Sequence, residues 1–198
     1  MTRQRFLGHI AGVGSTSGVR VVVGRWIASP LGAFADAMVA EPSGHRVLLA
    51  PSPEVADFVA ATYSFDEVRV EPLTADADWR VRSPSLSLDL AVGRRTALGR
   101  ALRLVPRPLA TSPAFCAITD PVARVVLRGV RTRGSAGGGR REYYAATDHH
   151  AIRALVGSWQ GRDLGALAPV LPEPGFGFSS TPPRPSVTAL VTTVELPG

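Results

Sequence analysis

The chain has no lysine and no asparagine; all twenty-two basic side chains among its 198 residues are arginines. GC-rich codon usage accounts for much of that bias, but the chemical consequence holds whatever its origin. Without an ε-amine there is no Schiff-base nucleophile, no anchor for pyridoxal phosphate and no P-loop lysine. Cys116 is the only cysteine, which excludes an internal disulfide and leaves nothing to argue for an oxidising compartment. No apolar run approaches the roughly twenty residues that a membrane helix needs. The longest uncharged apolar stretch, Trp26 to Ala35, is interrupted by Pro30. The basic residues near Met1 lack the apolar stretch of a signal peptide behind them. These absences predict a cytoplasmic protein without a transmembrane segment.

The arginines that are present are unevenly placed. Eleven of them fall between Ala91 and Arg141, where Asp120 is the only acid, so this stretch carries +10. The rest has eleven arginines against fifteen acids, or −4, which together give the net +6. A basic segment on a neutral-to-acidic body points to an anionic partner. Charged residues at 19% and apolar residues at 45% exclude the disordered class, and 20.9 kDa suits one domain spanning residues 1–198 with a single core.

Periodicity predicts short strands punctuated by Gly and Pro. Phe6 to Val13 and Val19 to Trp26 flank Gly14 to Gly18 as a hairpin, and Phe34 to Val39 and Arg46 to Ala50 flank a turn at Glu41 to Gly44. Ser52, Pro53 and Glu54 open a helix with Val55, Phe58, Val59 and Tyr63 on one face. Further strands are expected at Val68 to Glu71, Trp79 to Arg82, Leu86 to Val92, Val122 to Leu127, Glu142 to Ala146 and Val187 to Leu196. Helices are expected near 53–63, 95–105 and 148–157, the last from Ile152, Leu155, Val156 and Trp159 at helical spacing. The fold class is therefore α+β, a mainly antiparallel sheet or barrel with two to three peripheral helices.

No motif names a chemistry. Arg131 to Arg141 combines arginines with three successive glycines. Such a loop can turn backbone N–H groups and bidentate guanidinium donors to a phosphate or carboxylate. It lacks the G-x-x-x-x-G-K-[ST] pattern, and the bland alternative is a mobile hairpin tip. Gly12 to Gly18 breaks both G-x-G-x-x-G and G-x-S-x-G, and reads as a plain turn. His149 and His150 cannot grip one ion as an i, i+4 pair would, so no metal is expected. Cys116 reads as a small buried hydrophobe. In Glu142-Tyr143-Tyr144 the two rings point to opposite faces of a strand, and one is placed to line an interior. Phe176-Gly177-Phe178 reads as a loop stapled to the body by its rings.

The candidate ligand-binding residues are Arg131, Arg133, Arg140, Arg141, Tyr143 and Tyr144, with no cofactor. They suit a β-rich module holding a small anionic organic ligand, such as a carboxylate, with arginine at its mouth. One alternative is an enzyme. Length and layout are similar to helix-decorated β-barrels of the acetoacetate decarboxylase-like kind, whose lysine chemistry the absence of lysine excludes. Another is weak, sequence-blind nucleic-acid or anionic-surface binding through 91–141, although aromatics for base stacking are scarce there.

Overall fold

The computed structural model describes residues 2–111, 133–135, 139–177 and 181–196. Strands make up 54% of it. The first five strands and first helix follow the sequence closely: β1 (Thr2–Ser15), β2 (Arg20–Ala28), β3 (Phe34–Ala40), β4 (Arg46–Ala50), α1 (Pro53–Ala60) and β5 (Glu67–Val70). Short β6 (Thr74–Ala75) and β7 (Arg80–Arg82) lead to β8 (Leu86–Arg95), then α2 (Ala97–Arg103) and α3 (Arg107–Ala110). After β9 (Arg133–Ser135) come β10 (Arg141–Trp159), β11 (Arg162–Asp163), β12 (Leu167–Ala168) and β13 (Ser186–Leu196).

These strands form one sheet in the order β5-β4-β3-β2-β1-β13-β10-β8-β7-β6, with β12 on β1 and both β9 and β11 on β10. Every pairing is antiparallel except β4 with β5, where α1 supplies the crossover that parallel neighbours require. The path is not closed into a barrel, so the barrel form of the expectation gives way to an open sheet. The expected strand Val122 to Leu127 lies outside the described residues; Arg141 to Tyr143 lie between β9 and β13.

The helix expected at 148–157 is strand. Ile152, Leu155 and Trp159 all face one core, with spacings of three and four that imitate a helical stripe. In β10 the register against β8 shifts between Ile152 and Ala154. One extra residue in a bulge reverses the alternation, so a spacing of three returns to the same face. The bulge counterfeits the helical period.

Alternation sets up two apolar faces. Odd positions of the N-terminal strands, Val13, Val21, Val23, Ala37, Val39, Val47 and Leu49, join Leu86, Leu88 and Trp159 in the main core. Even positions turn the other way, where Leu48 and Ala50 pack under Val55, Ala56 and Val59 of α1. That helix forms because Ser52 caps it, accepting from the Val55 N–H, and Pro53 pre-sets the first turn. Its other end is held from outside: the Arg140 guanidinium donates to Phe58 O (3.0 Å) and Thr62 Oγ1 (3.1 Å). A cation there suits the unpaired carbonyls and the negative end of the helix dipole.

Candidate functional site

Between α1 and the sheet lies a narrow pocket of ≈ 50 Å³. It is lined by the even positions of β1 to β3 (Phe6, Ile10, Val22, Gly24, Trp26, Phe34, Asp36 and Met38), by Phe58, Val59 and Tyr63 from α1 and the turn after it, and by Glu142, Thr192 and Val194 from β10 and β13. Five of these are aromatic. Phe6 meets Trp26 edge-on at 5.8 Å and Phe58 at 4.9 Å, while Trp26 meets Phe34 at 6.2 Å.

Two acids sit in this apolar wall. Asp36 is 2% exposed, and burial pushes its carboxyl up to about 7, against the pull of the Trp26 indole. The Trp26 Nε1–H donates to Asp36 Oδ1 at 2.7 Å. Two glycines make room for this pair. Gly24 lies directly across from Asp36, and a Cβ there would stand 2.3 Å from Oδ1 and 2.7 Å from the indole nitrogen. Gly8 lies across from Trp26, where a Cβ would stand 3.0 Å from the ring and 2.3 Å from the Arg25 carbonyl. Gly24→Ala is therefore expected to push Trp26 and Asp36 apart and cost about 1–3 kcal/mol, as overpacking does. Thermal melting with tryptophan emission checks this, and an unchanged melt would count against the tight slot.

Glu142, also 2% exposed, is held differently. The Tyr63 and Tyr144 hydroxyls both donate to its Oε2, at 3.0 and 2.7 Å, and touch each other. Burial pushes the Glu142 carboxyl up, while the two tyrosines and Arg140 pull it back. Burial and the adjacent Glu142 charge push both phenols well above their ordinary value. Thr192 completes the polar set. It is 4% exposed, and its Oγ1 has no hydrogen-bond partner among the described residues.

The sequence-named residues fall in different places. Tyr144 shares a strand face with Glu142 and enters this network. Tyr143 points to the opposite face and donates to Glu195 Oε2 at 3.3 Å. Arg140 stacks over Phe58, its guanidinium 5.0 Å from the ring centroid, and is bonded to the end of α1. Arg141 is exposed on β10 and Arg133 belongs to β9; Arg131 lies outside the described residues, as do Cys116 and Phe178. Phe176 is buried beside Phe65, and Gly177 leaves room for the Tyr63 ring.

Part of the basic segment is paired internally. Asp148 accepts from Arg95 Nε and Nη2 at 2.8 and 2.9 Å, with Arg103 at 3.8 Å and His150 at 3.6 Å. The Arg95 guanidinium holds the Asp148 carboxyl below its ordinary range. His149 Nδ1 meets Thr96 Oγ1 at 2.9 Å, docking the N-cap of α2 on β10. Among the described residues no three His, Cys, Asp or Glu side chains gather as a metal site, and no helix is long and apolar enough to cross a membrane.

Sequence reasoning missed Asp36 and Thr192, and met Glu142 only as the neighbour of two tyrosines. A signal was present: Asp36 shares its strand face with Phe34 and Met38, an acid on an otherwise apolar stripe, which burial makes costly and hence informative. No protein-family model matches the chain, and neither does any curated protein. A crystal structure of a candidate AttH protein from Nitrosomonas europaea aligns with 97% of this chain and 50% of its own, at 11% identity and a TM-score of 0.27. The chain spans half the length of that protein, and a likeness at this level carries no statement about function.

Proposed function

We propose that the protein binds a small organic molecule in the pocket beneath α1, with its hydrocarbon part against the aromatic wall and a polar group facing Asp36, Glu142 and Thr192. The observation that carries this is Thr192, a residue of the pocket wall whose buried hydroxyl has no partner among the described residues. Folded proteins rarely leave such groups unpaired, because each costs about 1–3 kcal/mol. The arginine-held anion has less support: among the described residues two carboxyl groups line the pocket and no arginine does. Binding of nucleic acid through 91–141 likewise gains nothing from Arg95 and Arg103, both drawn to Asp148. An enzymatic role draws on Asp36, since a carboxyl that titrates near neutrality can both give and take a proton.

The chain has two methionines, Met1 and Met38, so methyl-labelled methionine gives one reporter in the pocket. Benzyl alcohol, a probe of about eight non-hydrogen atoms, is expected to move the Met38 methyl resonance saturably with a dissociation constant on the order of millimolar. Val22→Trp, which fills the pocket, should abolish the shift. A non-saturable drift, unchanged in that variant, would exclude binding at this place.

A further inference from the structure

We infer that the ligand class is an organic cation bearing N–H groups, a protonated primary or secondary amine on a small hydrocarbon group. The inference rests on the pocket-binding reading above and is argued from the polar complement of the wall. Apart from the Thr192 hydroxyl, which can donate or accept, the side-chain donors around the two acids are committed inward: the Trp26 N–H to Asp36, and the Tyr63 and Tyr144 hydroxyls to Glu142. What remains is a surplus of acceptors. A carboxylate has about four lone-pair sites, and Asp36 receives one side-chain donor while the two that Glu142 receives converge on one oxygen. Thr192 Oγ1 receives none. A ligand that completes this set must bring donors, and an ammonium group brings up to three with no acceptor of its own.

Charge and shape agree with that assignment. An anion would enter between two carboxyl groups, and a neutral alcohol would leave both uncompensated. A cation pairs with them, and a wall that includes Trp26, Phe34 and Tyr63 suits positive charge where a ring face is presented to it. The ionisable groups that act on the site are Asp36 from β3, Tyr63 after α1, and Glu142 and Tyr144 from β10. Arg140 acts on Glu142 from beyond Phe58. Because burial keeps Asp36 partly protonated near neutrality, amine and proton compete. Affinity for a permanently protonated amine must therefore rise with pH up to about 7 and level off above it.

The test uses three probes of matched shape, benzylammonium, benzyl alcohol and benzoate, followed by calorimetry and by the Met38 methyl signal. Benzylammonium is expected to bind up to about tenfold more tightly at pH about 8 than at pH about 6, releasing a fraction of a proton into the buffer near neutrality. Benzyl alcohol should bind weakly and without pH dependence, and benzoate not measurably. Asp36→Asn should lose about tenfold or more in benzylammonium affinity together with the pH dependence, while keeping an acceptor for Trp26. Thr192→Val should lose several-fold with the pH dependence retained. Equal affinity for alcohol and amine, a pH-independent amine affinity, or an Asp36→Asn protein that binds like the parent would each overturn the cation assignment. If the alcohol moves Met38 and the amine does not, the class is wrong and the pocket still binds. If no probe moves Met38, both readings fall.

Discussion

Leu48→Ala and Leu49→Ala are each expected to cost about 2–5 kcal/mol, among the largest losses a single substitution can cause here. The two side chains are neighbours in β4, fully buried at 0% exposure, yet they face opposite sides of the sheet. Each truncation forfeits transfer free energy and leaves a cavity that the strand backbone cannot collapse to fill. Their consequences should differ in kind. Leu49 belongs to the main core, so its loss lowers the urea midpoint and leaves the Met38 signal where it was. Leu48 supports Val55 and Val59, so its loss should also release α1 and shift Met38. Val68 on β5, 45% exposed, is the control: Val68→Ala should stay within about 0.5 kcal/mol. Equal effects at Leu48 and Val68 would show that α1 is not seated as described.

Asp36→Asn should stabilise the fold, increasingly so as pH rises. The unfolded carboxyl titrates at 3.8 and the folded one at about 7, so between these values the folded state holds a proton that the unfolded state has lost. Folding free energy is therefore lost as pH climbs from about 4 to about 7 and stays lost above it. The amide mimics the protonated acid and escapes that loss. The gain from Asp36→Asn should be near zero at pH about 4. It should reach at most on the order of 4 kcal/mol above pH about 7, as expected for an acid weakened roughly a thousandfold. Parallel melts of the two proteins across this range would reveal it. A constant difference would mean that Asp36 is solvated in the folded protein.

The same two kinds of signal explain what could be read in advance. Hairpins and α1 were legible because local chemistry specifies them: Gly18 and Gly44 at positive φ, Ser52 at the cap, strict alternation in Leu86 to Leu90. β10 was misread because a bulge is a pairing event, and register against β8 is invisible in one strand's sequence. The pocket was hidden for a related reason. Glu142 and Tyr144 were noticed as a dipeptide spacing, but Tyr63 completes their network from 79 residues away, and only the fold brings them together. The arginines drew attention through their density, whereas Arg95 and Arg103 pair with Asp148 and Arg140 secures α1. Charge counted along a chain does not show where it is neutralised.

The position of β1 has a consequence for the order of folding. Its long partners are β2, reached through the four residues 16–19, and β13, which arrives only at Ser186 to Leu196. During synthesis the meander from β1 to β5 can assemble early from local contacts, but one long side of β1 stays an unpaired ladder until the last strand emerges. Glu142, Thr192 and Val194 come with that late half, so the pocket has no floor on its acidic side until then. A nascent chain stalled before residue 186 would present an open edge of Phe6 and Ile10. Exposure of that edge therefore belongs to synthesis and ends when β13 pairs with β1.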